Sequence, residues 1–311
     1  MKDLLLEYVM KVSAITPTPA ASTAYLRRVL CVVKPLADLA EEKKDVIATC
    51  TTTAEVALLT QSKCGTLLDA GMSSIYVLPA TTLDLAELMN TTKAQFYTVL
   101  IDPAFNESEI GALELGSFAG VAGWANATQS EAAAWAKQNN NVAFCSPVEQ
   151  GGKNMYFAFG KLLSSATWRN QQYIEMPESD GVINIGQADL FFDDALSFVL
   201  TSDEYGNRLG LFASNRRAII APYIFEEITI KLQSAALRYI SFNQPAYTIS
   251  EASLLEDTLQ DVINAYVDAG TIDSGTIRVE PSDQQFVMNG FIQVAEPKAL
   301  WRIKAEMKQG V

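Results

Sequence analysis

Short apolar runs alternate with amphipathic stretches through the first half of the chain, and this order predicts a sheet covered by helices. Runs typical of buried strands lie at 29–33, 75–78, 96–101, 120–124 and 142–145. Apolar positions at helical spacing lie at 82–90, 107–115 and 130–138. Strands and helices in this alternation favour right-handed crossovers between parallel strands. We therefore predict an α/β region with a mostly parallel sheet.

Two local signals place helix ends within this region. Thr52 is followed three residues later by Glu55, which is the spacing of a capping box and predicts the start of a helix. Gly71 separates a helical pattern from the strand that begins at Ile75, and a left-handed residue is needed where such a helix ends.

Helices become more prominent in the second half of the chain. The patterns predict helices at 154–164 and 188–200, and two long ones at 222–241 and 251–269, of which the first begins at a proline. Strands are predicted at 169–176, 209–213, 276–279, 286–294 and 300–307. This order predicts a helix-rich α+β domain after the parallel sheet, so that the chain is α+β overall.

The first 22 residues have the character of an arm and a linker. Apolar side chains alternate at period two at Leu4, Leu6, Tyr8, Met10 and Val12. A helical stripe through Leu5, Tyr8, Val9 and Val12 fits the same stretch, so periodicity leaves strand and helix open. The prolines at 17 and 19 then favour an extended linker.

The last residues alternate strictly, as in a strand that is covered on one face. The alternation places Trp301, Ile303, Ala305 and Met307 against Arg302, Lys304, Glu306 and Lys308. Residues 298–311 carry a net charge of +3, whereas the other 297 residues carry −16. The strand either pairs within its own sheet or adds to the sheet of a neighbouring subunit.

These patterns divide the chain into four parts. We expect an N-terminal arm and linker at 1–22, an α/β domain at 23–185, an α+β domain at 186–296 and a C-terminal strand arm at 297–311. If the C-terminal strand adds to the sheet of a neighbouring subunit, the terminal strands are exchanged between subunits.

Composition and charge exclude several classes of function. The chain has 311 residues, of which 49% are hydrophobic and 19% charged, as in a folded protein. Its net charge of −13 disfavours binding to nucleic acid or anionic lipid. Because no stretch reaches the ~18 apolar residues of a membrane helix, we expect no membrane insertion. The sequence contains no histidine, which removes the usual general base and histidine-activated nucleophiles.

The remaining candidate chemistry favours structural roles. Four cysteines without a CxxC pair predict buried free thiols, with no metal site and no cofactor; they are Cys31, Cys50, Cys64 and Cys145. Asp102, before Pro103, sits where open α/β sheets bind ligands, but Asp-Pro is also an ordinary turn start, which we prefer. Glu226 and Glu227 are expected on a solvated helix surface, since neighbours on a helix point about 100° apart.

The order of elements resembles that of contractile bacteriophage tail sheath proteins. Hydrophobic and glycine patterns carry the resemblance, at 67–79, 96–101, 255–272 and 286–307. The resemblance covers most of the chain and implies a structural subunit without enzymatic activity. Such subunits form sixfold rings stacked around a tail tube, and neighbouring terminal arms complete each subunit's C-terminal sheet.

The resemblance also implies partners and a location. The expected partners are other copies of the chain, the tail tube protein, and baseplate and tail terminator proteins. The expected location is the virion tail, assembled in the cytoplasm of the host bacterium, where contraction drives the tube through the host envelope. Lys231 and Arg238 are seven residues apart on the 222–241 helix and share one face, so they are candidate contacts to an acidic tube.

Two other functions stay open. The chain is alternatively another tail component, such as a terminator or baseplate protein. An α/β nucleotide-binding enzyme is favoured by the parallel-sheet rhythm and opposed by the missing histidine.

Overall fold

The fold is taken from a computed structural model of the chain. It describes residues 23–82, 95–105, 121–124, 142–146, 153–165, 168, 173–176, 197–202, 206–210, 219–283 and 287–295.

In the described part of the chain, nine strands form one sheet that is parallel through its middle. They are β1 (Val29–Val33), β2 (Ala48–Cys50), β3 (Ile75–Pro79), β4 (Thr98–Ile101), β5 (Val121–Trp124), β6 (Val142–Ser146), β7 (Tyr173–Met176), β8 (Ser197–Ser202) and β9 (Gly206–Gly210). Their order is β2-β3-β1-β4-β5-β6-β8-β9-β7. The pairs from β3 to β8 are parallel, and β2, β9 and β7 pair antiparallel at the two ends. The predicted mostly parallel sheet is confirmed.

The central strand explains why its sequence is a continuous apolar run. All five residues of β1 are fully buried, because β3 and β4 pair with its two edges and other chain segments cover both faces. A strand that is covered on both faces needs no polar alternation.

The helices follow the predicted signals. They are α1 (Thr53–Ala57), α2 (Thr66–Asp69), α3 (Lys153–Ser164), α4 (Ala221–Asn243) and α5 (Ile249–Asp268). The capping box is confirmed, since Thr52 Oγ1 accepts from the Glu55 N–H and the Glu55 carboxylate accepts from the Thr52 N–H. Gly71 follows α2 at φ 114°, which confirms the expected left-handed end.

The two longest helices and a hairpin form the C-terminal part of the described chain. Pro222 lies in the first turn of α4, as predicted, and Gln244 ends the helix in the left-handed conformation. The side chain of Thr248 caps the start of α5, which packs against α4. Two further strands, β10 (Ser274–Pro281) and β11 (Met288–Ala295), pair antiparallel in a separate sheet.

One predicted helix is wrong over its described part. The 188–200 pattern predicts a helix, but Ser197–Ser202 is the strand β8. The apolar run of Phe198, Val199 and Leu200 fits a buried strand as well as a helix, and pairing with β6 and β9 decides between them. The short strand β2 has no counterpart among the predicted elements.

Several predictions fall wholly or largely outside the described residues. They are the helices at 82–90, 107–115 and 130–138, the strand at 300–307 and both terminal arms. The strands β8 and β9 follow residue 185 and still pair within the nine-stranded sheet. The domain boundaries stay predictions.

Candidate assembly surfaces

The hairpin of β10 and β11 is a sheet with only two strands in the described chain. Helix α5 packs on β10, where Ile277 and Val279 are buried. The apolar side chains of β11 are less covered, since Ile292 and Val294 are half-buried and Phe291 is 56% exposed. The partly covered apolar side chains of β11 give this hairpin a surface that is suited to further pairing.

A 3-10 helix, Thr23–Arg27, anchors the chain directly after the predicted N-terminal arm. The guanidinium of Arg27 donates to the carbonyl oxygens of Leu163 (2.9 Å) and Ser165, and it stacks on the ring of Trp168 at 4.3 Å. The hydroxyl of Tyr25 donates to Glu226 of α4 at 2.6 Å. The start of the body is therefore tied both to the end of α3 and to α4.

Glu226 is buried, which corrects the expectation of a solvated position. Its side chain is 4% exposed, and burial raises its pKa to about 7, although the hydrogen bond from Tyr25 acts in the opposite direction. The neighbouring Glu227 lies at a cleft and accepts from the indole of Trp168 and from the hydroxyl of Tyr266 at 2.9 Å. Both carboxylates accept hydrogen bonds from aromatic side chains of other segments. The adjacent positions of the two residues in the sequence do not indicate this role.

The cleft lies between α4 and α5 and has a volume of about 1190 Å³. Basic and aromatic side chains share its lining; among them are Arg27, Lys231, Arg238, Trp168, Phe242 and Tyr266. The guanidinium of Arg238 lies 5.9 Å from the ring centre of Phe242. Lys231 and Arg238 are both exposed and line the same cleft, so their predicted common face is confirmed.

Asp102 lies at the carboxyl end of β4, beside β1, and is 5% exposed. The Ala104 N–H donates to Asp102 Oδ1 at 2.9 Å, so the predicted turn start is confirmed. Its other oxygen accepts from the hydroxyls of Ser62 and Tyr156, the latter at 3.2 Å. These donors satisfy the buried carboxylate of Asp102, and the bond from Tyr156 holds α3 against the sheet. The buried position of Asp102 is therefore explained without a ligand.

Cysteine and metal chemistry give no further site in the described part of the chain. Cys31, Cys50 and Cys64 are buried free thiols, as predicted, and burial raises the pKa of Cys50 to about 11. Within the described ranges, no group of three or more Cys, Asp or Glu side chains is arranged to hold a metal ion. None of the described helices combines the length and apolarity needed to cross a bilayer.

The predicted arm residues lie outside the described ranges. This holds for Leu4, Leu6, Tyr8, Met10 and Val12 of the N-terminal arm and for Trp301, Arg302, Ile303, Lys304, Ala305, Met307 and Lys308 of the C-terminal arm. The structure adds Tyr25, Arg27, Trp168 and Glu226 as residues that anchor the start of the body. These four residues are spread from position 25 to position 226, so no local pattern in the sequence groups them.

Solved structures of sheath and baseplate assemblies are similar in fold to this chain. No protein-family model and no curated protein matches the sequence. The helical sheath of the anti-feeding prophage in its contracted state matches with a TM-score of 0.64 and 11% identity, over 97% of this chain and 98% of that chain. A structure of the baseplate of the same particle, symmetrised sixfold, matches with a TM-score of 0.66 and 13% identity, over the same shares.

A crystal structure of a sheath tail protein from Desulfitobacterium hafniense matches more distantly. Its TM-score is 0.52 at 7% identity, over 92% of this chain and 100% of that chain. The resemblance seen in the sequence is thus confirmed at the level of the fold, over nearly the full length of each chain.

Proposed function

We propose that this protein is the sheath subunit of a contractile tail. Copies polymerise as stacked sixfold rings around a tail tube and rearrange together when the tail contracts, which drives the tube through the host envelope. The observation that carries the proposal is the shared fold with the sheath of the anti-feeding prophage, over 97% of this chain and 98% of that chain. The particle would be a virion tail, assembled in the cytoplasm of a host bacterium.

Terminal arms link the subunits in this proposal. The two-stranded sheet of β10 and β11 supports such a link, because its apolar side chains are only partly covered. Each main-chain hydrogen bond contributes about 1 kcal/mol net, so a short strand holds two copies together and a lattice of many such links stays connected. The anchored segment Thr23–Arg27 gives the N-terminal arm a fixed origin on the body.

A chain truncated after Glu296 tests the linkage. We expect a soluble, folded body by circular dichroism, with no long assemblies in negative-stain images. Ile303→Asp should act in the same direction because it places a charge on the apolar face of the arm, whereas the matched control Lys304→Ser leaves that face intact. Normal tubes from the truncated chain would contradict the linkage.

The cleft between α4 and α5 is the candidate contact to the tube. Arg27, Lys231 and Arg238 are the basic side chains of its lining and Glu227 the acidic one, which suits an acidic partner. The double variant Lys231→Glu, Arg238→Glu should abolish assembly on the tube, while Arg28→Glu, a charge change outside the cleft lining, should not. Undisturbed assembly of the double variant would remove the cleft from the proposal.

A baseplate role is the second candidate. The match to the sixfold-symmetrised baseplate of the anti-feeding prophage favours it. Negative-stain images of the purified protein separate the two: tubes or stacked rings support a sheath, and single rings support a baseplate or terminator protein. Dispersed monomers would favour the enzyme alternative, which the absence of histidine makes the weakest.

A further inference from the structure

The cleft between α4 and α5 begins where the described chain begins. Thr23 lines the cleft, and residues 1–22, which lie outside the described ranges, are joined directly to it. The hydroxyl of Tyr25 donates to Glu226 at 2.6 Å, which fixes this segment near the start of α4. The chain that precedes Thr23 therefore leaves its anchor at one end of the cleft.

Three aromatic rings of the cleft lining are held in place by carboxylates. The indole of Trp168 and the hydroxyl of Tyr266 donate to Glu227, the latter at 2.9 Å. The hydroxyl of Tyr239 donates to Glu251 at 2.8 Å. Because their polar atoms are bonded within the protein, the apolar parts of these rings are what remains for an occupant. Rings that are already oriented bind an occupant without the entropic cost of ordering them.

The rest of the lining suits an extended apolar segment. Phe242 lies at the far end of the cleft on α4 and is 78% exposed, which leaves a large apolar side chain in water. Between the rings, the lining contains Ala235, Ala265 and Ala269, whose small side chains let a main chain approach closely.

The linker before Thr23 has the matching character. Residues 13–22, which form this linker, contain no charged side chain. Pro17 and Pro19 fix φ at about −65° and bias the residues before them towards the polyproline II conformation. Proline-containing segments bind aromatic-lined grooves in this conformation, because they lose little entropy when they do so.

The length of the linker fits the length of the cleft. The lining follows α4 from Glu227 to Phe242, which are fifteen residues apart, or about 22 Å at the ~1.5 Å rise of a helix. Polyproline II advances about 3.1 Å per residue, so the segment 16–22 spans about the same distance. This places Pro17 beside Phe242 and Pro19 near the middle of the cleft.

We propose that residues 16–22 of the linker lie extended in the α4–α5 cleft of their own chain and pack on its aromatic rings. The arm, residues 1–12, then leaves the body at the turn between α4 and α5 and not at Thr23. Lys231 and Arg238 are exposed and stay accessible beside the linker, so docking is compatible with the proposed tube contact. Docking needs no assembly, and its test is therefore independent of the sheath proposal.

Disulfide trapping within one chain tests the docking. Asn243 lines the cleft and Ser241 does not, although both are exposed and lie in the last turn of α4. Their side chains point about 160° apart around the helix. Full-length Thr16→Cys, Asn243→Cys is compared with the matched control Thr16→Cys, Ser241→Cys by air oxidation, non-reducing electrophoresis and peptide mass mapping. The single variant Thr16→Cys corrects for disulfides to the chain's own cysteines.

We expect a disulfide within one chain at position 243, with a yield at least about tenfold above that at 241. The reason is that a helix is about 10 Å across, whereas a disulfide reaches only ~7 Å. Equal yields, or none at either position, would overturn the docking, because an undocked linker has equal access to both. A disulfide at 243 that forms only between two chains would assign the cleft to the linker of a second copy and overturn the placement within one chain.

A second measurement tests the aromatic contact. Ile249 is 79% exposed, as much as Phe242, but lies outside the cleft lining. In the chain with cysteines at 16 and 243, Phe242→Ser should lower the yield about fivefold through loss of a ring contact, whereas Ile249→Ser should leave it unchanged. Pro17→Gly, Pro19→Gly should lower the yield as well, because it frees the linker backbone. An unchanged yield in Phe242→Ser, or equal losses in Phe242→Ser and Ile249→Ser, would overturn docking on the aromatic rings.

Discussion

Replacing Glu226 by Gln should stabilise the protein at neutral and alkaline pH. Glu226 is buried beneath the segment that anchors the N-terminal arm, and burial raises its pKa from the usual 4.5 to about 7. The folded protein therefore binds this proton more tightly than the unfolded chain. The carboxyl group's contribution to stability is fully present below pH 4.5 and is lost as the pH rises through 7.

The size of the effect follows from the two pKa values. A shift from 4.5 to about 7 corresponds to about 3 kcal/mol, of which about 2.5 kcal/mol falls between pH 5 and pH 8. Gln is close in shape and keeps an oxygen that accepts from the Tyr25 hydroxyl, but it carries no charge. The difference in unfolding free energy between the Glu226→Gln variant and the parent should rise by this amount across that interval.

Urea unfolding followed by tryptophan fluorescence at pH 5, 6, 7 and 8 measures this difference. The control is Glu42→Gln, which changes the net charge equally at an exposed position and should leave the difference flat. A flat profile for Glu226→Gln, or a loss of stability that grows with pH, would refute the assignment of Glu226 as a destabilising buried carboxylate.

Two further substitutions test the packing and the helix start. Gly160→Ala should lower the unfolding free energy by about 1–3 kcal/mol, because its Cβ would lie 2.5 Å from Ala70 Cβ and 3.0 Å from the Leu67 oxygen. Gly290→Ala, where a Cβ meets nothing within 4 Å, is the control, and equal stabilities in urea unfolding would contradict close packing of α3 on α2. Thr52→Ala should lower the unfolding free energy by about 1 kcal/mol in the same assay, because it removes the capping box. Thr53→Ala should lower it by less than about 0.5 kcal/mol. Equal losses for the two threonines would argue against the cap.

The sequence was a good guide wherever a local pattern and its environment agreed. The apolar run at β1 identifies a strand, because a strand covered on both faces needs no polar positions. Thr52, Gly71 and Pro222 mark helix ends through chemistry that acts over three or four residues. The resemblance to sheath proteins also came from the order of such elements, and the shared fold confirms it.

The sequence did not predict contacts between segments that lie far apart in the chain. Residues 197–202 carry apolar side chains that suit a helix or a strand, and only β6 and β9 on either side make them a strand. Glu226 looked like a surface residue until the fold brought Tyr25 to it across 201 positions. The hydrogen bonds that join Gln260 and Glu256 of α5 to the main chain of β10 likewise form only once helix and strand are packed together: the Ile277 and Val279 N–H groups donate to the two side chains, and Gln260 donates to the Gly275 oxygen.

The sequence by itself determined the type and order of most described elements, though not of β2 and β8, and the excess of acidic residues, since these follow from side-chain chemistry within short windows. Tertiary structure alone decided which carboxylates are buried, which residues line the cleft and which helix side chains bond to the main chain of β10. Those properties arise from contacts between segments far apart in the chain, and no local pattern encodes them.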